Sequence, residues 1–371
     1  MTGLAEHVAA AALVDHHVHG AFTVELDRRE FEGHLNEGSP DPVPPWMTQF
    51  DSQLGFAVRR WCAPVIDLPA HAPADDYWKR RTELGVEEVT RRFLGGAGVS
   101  DWIVDTGYAT GSLLGPAGIE SASGGRAHEV VRLEALAEEL ALENVSGRDY
   151  ADAFIAKLAS RAGNAVGTKS ILAYRTGFDI DLTPPDPGPV AEAASRWLDS
   201  GESRLADEVL IRFGLHAAIA RGLPLQLHTG FGDRDLDLHS VNPLHLVNLL
   251  RAIPEVPVLL LHCYPFHREA GYLAQAFPNV HFDVGLGINH TGVRSVAVVA
   301  ESFELAPFAK QLYSSDAWGP PELHYLGALL WRRAITAVFG RWVADDDWSE
   351  ADARRVVDMI ARDNARRVYR L

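Results

Sequence analysis

Two cysteines in 371 residues, Cys62 and Cys263, are too few for a disulfide framework to hold a chain of this size together, so a buried core must do it. Basic residues are in the minority, 34 Lys and Arg against 50 Asp and Glu. The formal charge of −16 offers no basic face for neutralising phosphates, which argues against nucleic acid and anionic membrane surfaces as partners. No apolar run approaches the roughly 18 residues of a membrane span. The first residues lack the basic and apolar regions of a signal peptide, and a cytoplasmic location is expected. Neither an internal repeat nor a low-complexity tract is present. What remains is ordinary for a soluble globular chain, 47% hydrophobic and 23% charged. Its length suits one large α/β barrel.

From residue 97 onward, short apolar runs alternate with longer helical patterns, the signature of βαβ units around a parallel sheet. Candidate strands span 101–105, 129–133, 165–169, 223–228, 256–262, 280–284 and 311–316; with 13–19 they make eight. Helix signals fall between them. Tyr150, Phe154 and Leu158 recur at helical spacing before Gly163, Asn242 and Pro243 read as N-cap and first-turn proline, and Phe266, Ala270, Leu273 and Phe277 form a stripe. Ser349 and Asp352 open a last amphipathic helix. The expected architecture is a TIM (β/α)8 barrel forming a single domain over 1–371. Residues 21–96, about eighty residues rich in Pro, Trp and charge, are too long for a plain loop and are expected to form a helical lid, with 75–94 helical. A second insertion, 182–189, leads into one long or two short helices ending at Gly222.

Ligand-type side chains close these strands. In Leu13-Val14-Asp15-His16-His17-Val18-His19-Gly20, His17 and His19 point to one side of a strand end and can grip one metal ion, while His16 alternates away as a structural residue. Lys169, His228, His262 and Asp316 end further strands, each followed by loop chemistry. Asp316 precedes a Gly-Pro break and is too far from the helix start near Glu322 to be its cap.

This set resembles the amidohydrolase superfamily of metal-dependent barrels, over nearly the whole chain. The stretches 169–177, 227–233, 261–271 and 315–324 look like the amidohydrolase-related branch found alone or fused ahead of glutamine-synthetase-like domains, the nodulin and FluG type. The resemblance implies that His17, His19, His228 and Asp316 hold a first divalent metal, zinc foremost and manganese as the alternative. His262 would ligate a second ion or handle protons. Lys169 would carry a carbamate bridging two metals or serve as a charged substrate group, and the carbamate is the expectation adopted. Asp316 would act as general acid and base on a metal-activated water.

Specificity is expected in the loops: Tyr174, Arg175, His267, Trp318 and His324 are candidate substrate contacts, with Arg175 clamping a carboxylate and Glu134 a weaker candidate. The leading reading is a hydrolase of a carbon-nitrogen bond in a small carboxylate-bearing amide such as a γ-glutamyl compound. The alternatives are a metal-dependent non-oxidative decarboxylase on the same scaffold and a non-catalytic, metal-stabilised binding module. The expected partner is a small-molecule substrate, and a homo-oligomer is compatible.

Overall fold

Strand-forming runs separated by amphipathic helices place seven parallel strands side by side in sequence order. The computed structural model describes residues 2–108, 111–143 and 145–371. The strands are β1 (Leu13–Val18), β2 (Val99–Asp105), β3 (Arg126–Arg132), β4 (Gly167–Ser170), β5 (Leu225–Thr229), β6 (Val258–His262) and β7 (Val280–Phe282). The sheet curls as a barrel sheet does, carrying helices outside and apolar side chains inside, among them Val14, Ile103, Val130, Leu259 and Leu261.

The expected eighth strand differs from a regular one. Residues 311–317 run between β7 and β1, with one bond to the first and three to the second and its end: Leu312 N donates to Phe282 O at 3.1 Å, His16 N to Tyr313 O at 3.1 Å, Asp316 N to His17 O at 3.1 Å and His19 N to Ala317 O at 2.9 Å. The ladder is irregular because Asp316 adopts a left-handed conformation, φ 49°, and because β7 is only three residues long. Closure therefore happens through an irregular segment that carries a site residue. Strand β3 also ends earlier than expected, so Glu134 falls in the first turn of the helix Leu133–Ala141.

Between β1 and β2 the chain forms a series of helices. The expected helix over 75–94 is two, Ala74–Leu84 and Val86–Gly96, broken at Gly85, whose φ of 77° only glycine adopts readily. Phe31, Phe50, Tyr77 and Phe93 share one buried cluster with Leu326, Trp331 and Ile335 of the long helix Pro321–Ala344. Much of 21–96 is thus built into the barrel's helical layer, because its large aromatics are buried there. After β4 the second insertion forms two helices, Pro187–Ser200 and Glu208–Arg221, the latter capped by Asp207 and stopped at Gly222. Ser349 caps the helix Glu350–Asp358, which continues through one wide turn to Tyr369. Among the described residues no helix is long and apolar enough to cross a membrane.

Candidate metal centre and active site

The ends of β1, β4, β5 and β6 and the closing segment converge on one point. His17 Nε2 lies 3.1 Å from Asp316 Oδ1 and His19 Nε2 lies 3.8 Å from the same oxygen. On the other carboxylate oxygen, Oδ2, His262 Nε2 stands at 3.3 Å. Lys169 Nζ donates to His17 Nε2 at 2.8 Å and pairs with Asp105 Oδ2 at 3.1 Å. The His228 ring centroid is 4.9 Å from that of His262. All of these groups are buried.

Backbone strain marks the same place. His262, Cys263 and Asp316 have φ of 68°, 56° and 49°, uncommon for residues with a Cβ and found where surroundings enforce them. The enforcing group beside His262 is Asp283, whose Oδ1 accepts from His262 N at 3.1 Å, Gly285 N at 2.7 Å and Ser314 Oγ at 2.8 Å. One buried carboxylate thus ties the turn after β6 to the segment carrying Asp316.

Electrostatics prepare the cluster for a cation. Burial holds His17, His228 and His262 well below the usual histidine range, and His19 is lowered to about 3, so the imidazoles are neutral with lone pairs available. His19 Nδ1 donates to Asp105 O at 3.2 Å, which leaves Nε2 free to face Asp316. Burial pushes Asp316 well above the carboxylate range. Burial would also raise Asp105, but the charges of Arg132 and Lys169 outweigh it and hold that group low.

The donor set fits a divalent ion. His17 Nδ1, His228 Nε2 and both His262 ring nitrogens are buried without a hydrogen-bond partner, and each orphaned buried polar group costs about 1–3 kcal/mol. A cation near the Nε2 atoms would relieve part of that cost and favour the ionised form of Asp316. Two overlapping groups, His17 with His19 and Asp105, and His17 with His262 and Asp316, have ligand atoms within 4.8 Å of one another.

Comparison with known proteins gives the family and the fold. Residues 116–371 match the family described as Amidohydrolase. The chain belongs to the amidohydrolase family. A protein of Lactobacillus casei ATCC 334, assigned as a metal-dependent hydrolase, superposes with a TM-score of 0.87 and 29% identity, over 99% of this chain and 97% of its own. Protein fluG of Emericella nidulans is 34% identical over 221 residues, 56% of this chain but 26% of the fungal protein, so the chain spans about a quarter of that relative's length. Uronate isomerase of Bacillus halodurans C-125 shares the fold at TM-score 0.62 and 16% identity, over 99% and 95% of the two chains.

A cavity of about 630 Å³ opens over the centre, of the size that takes a small molecule. His19, Lys169, His228 and Asp316 line it, together with Tyr174, Arg175 and Trp318. The Tyr174 ring lies 4.5 Å from His228, Arg175 pairs with Glu138 at 3.2 Å, and Trp318 Nε1 donates to Glu37 at 3.0 Å.

Two expected substrate contacts lie elsewhere. His267 is in the first turn of the helix after β6, and its Nε2 is drawn to Glu301 at 2.8 Å on the neighbouring helix. His324 is fully buried at the start of the long helix, where its Nε2 donates to His19 O at 2.9 Å and holds the end of β1 from behind the cavity. Glu134 accepts from Ser170 Oγ and Ile171 N and holds the turn after β4. His16 bonds Asp283 and Tyr369 inside the barrel.

Sequence reasoning missed Asp105, Arg132, Asp283 and Glu37. The first two close β2 and β3, and Asp283 follows β7 directly, so the strand-end signal used for the histidines applied to them too. Arg132 grips Asp105 through Nε and a terminal nitrogen at 3.0 and 2.6 Å. Glu37 carried no signal, since it sits in the loop after the helix Arg28–Gly33 and reaches the cavity only through folding.

Proposed function

We propose that this amidohydrolase hydrolyses a carbon-nitrogen bond in a small amide that bears a carboxylate, a γ-glutamyl compound being the test case. The observation that carries the reading is the cluster of neutral histidines around Asp316, at the base of a cavity bordered by three arginines, of which Arg204 is paired with Asp235. His17, His19, His228 and Asp316 would hold the ion, zinc foremost, with His262 beside them. When bound, such an ion acidifies water and polarises the scissile carbonyl.

The chain's own residues divide the remaining work. Asp316 faces His262 from Oδ2 and takes the proton of the attacking water, then returns it to the leaving nitrogen. Arg132 and Arg175 border the cavity, where their free N–H groups receive the substrate carboxylate. Tyr174 and Trp318 are its aromatic walls, and Glu37 brings part of the β1–β2 insertion to its edge, limiting access of water.

Lys169 fits this site as an ammonium. A carbamate there would set a second anion against Asp105, at the position where Nζ now lies 3.1 Å from Oδ2, whereas the ammonium keeps that carboxylate as its partner when His17 Nε2 is given to an ion. The reading is therefore a one-ion hydrolysis with Lys169 as a charged neighbour of the reacting group. The test combines metal analysis of the purified protein with a panel of γ-glutamyl and other carboxylate-bearing amides. Metal-dependent release of amine is expected. A metal-loaded protein that releases no amine overturns the proposal, and carbon dioxide release from an unsaturated or aromatic acid would assign the decarboxylase reading instead.

A further inference from the structure

A second cavity, of about 720 Å³, is lined by none of the metal-centre residues. Two separate parts of the chain build it. Phe56, Arg60 and Trp61 come from the insertion between β1 and β2, while Val296 and Arg333 come from helices that follow β7 and the closing segment. Its walls are largely apolar, so the charges it does contain stand out.

Those charges are of one sign where it matters. The guanidinium carbons of Arg60 and Arg333 lie 4.0 and 4.2 Å from the centroid of the Trp61 ring. Contact with the indole orients each planar fork and offsets part of its charge, yet leaves the edge N–H groups free. Among the described residues neither side chain has a carboxylate partner, although the chain carries 50 acidic residues to 34 basic ones. Asp51 lies on the lining without pairing to either. Arg59 is also present; its Nε donates to Ala72 O at 2.9 Å, so it is partly committed to the fold. Burial, and then the charge of Arg60, hold Arg333 below the usual arginine range. Like charges gathered on an apolar wall repel, and an anion between them removes that repulsion.

We propose that this cavity is a binding site for a small organic anion, its phosphate, sulfate or carboxylate group held by Arg60 and Arg333 and its apolar or aromatic body lying on Phe56, Trp61 and Val296. Arg60 belongs to the insertion and Arg333 to the long helix after Asp316, so the anion bridges two parts of the fold. Ligand binding to the folded state alone then stabilises that join.

The experiment titrates phenyl phosphate into the full-length, metal-loaded protein by calorimetry and follows thermal unfolding, beside its neutral counterpart phenol. The comparison variants are Arg60→Ala with Arg333→Ala, and Arg333→Ala alone, whose exposed side chain leaves folding undisturbed. Saturable binding and a raised Tm with phenyl phosphate, weaker at high salt, and an affinity at least about tenfold lower in the double variant are expected. Phenol should bind far more weakly. No saturable binding by the folded wild type at millimolar concentrations overturns the proposal. So does equal affinity in the double variant, which would place the ligand in the metal cavity.

Discussion

Lys169 Nζ donates to Nε2 of His17 across 2.8 Å, so the lysine that closes β4 engages the very nitrogen through which the β1 histidine would meet a cation. The same ammonium neutralises Asp105, and burial would lower its pKa further were that carboxylate absent. Lys169→Ala is expected to lower kcat/KM by about 10- to 100-fold, the worth of one charge-assisted hydrogen bond, while metal content holds. Recovery of activity together with a second metal equivalent on adding short carboxylic acids would instead show a bridging carbamate.

His17 is the residue shared by both candidate ligand groups. His17→Ala should abolish activity and reduce metal content while far-ultraviolet circular dichroism stays native, and chelation of the wild type should reproduce the loss reversibly. Full activity in the variant would remove the centre described above.

His324 acts through the main chain of His19. His324→Phe keeps an aromatic ring, somewhat larger, but loses the donor, and metal affinity is expected to fall about 10- to 100-fold, as for other outer partners of metal ligands. Competitive chelator titration reads this directly. An unchanged affinity would make His324 a packing residue only.

Glu37 joins the cavity to the insertion, and burial raises its carboxyl to about 7. Glu37→Gln retains an acceptor for Trp318 Nε1 and removes the titrating group. The expected result is loss of one limb of the kcat/KM profile near pH 7 with native far-ultraviolet circular dichroism; an identical profile would confine Glu37 to a structural role.

The metal-free protein should lose stability in acid. His19, lowered to about 3, and His17, His228 and His262, also lowered by burial, bind protons in the unfolded chain near pH 6.5 but resist them when folded. Their contribution is complete above that pH and is lost as pH falls, by up to about 1.4 kcal/mol per pH unit for each. Asp15 and Glu37, both raised to about 7, and Asp316 act in the opposite sense, since the folded state keeps their protons. The histidines outnumber them, so urea midpoints should drop between pH 7.5 and 5.5. A flat or rising midpoint would contradict the neutral-histidine cluster.

The barrel was legible because its strands are buried on both faces and read as apolar runs, each ended by a polar residue where the sheet meets the loops. His17, His19, Lys169, His228, His262 and Asp316 share that position, and the structure brings them within contact distance. The eighth strand was overread. Ser314 and Ser315 follow an apolar start, but their side chains bond Asp283 and Asp15 and the backbone turns left-handed at Asp316, which alternation along a sequence does not register.

The sequence by itself determined which residue types close which strands, and hence the family of chemistry. Tertiary structure alone decided which of them face the cavity. His267 follows its site strand as closely as Tyr174 does, and His324 stands on the same connection as Trp318, yet helix geometry turns one toward Glu301 and the other beneath His19. Asp105 and Glu37 arrive from β2 and from the insertion, and such meetings are set by packing between distant segments rather than by local spacing.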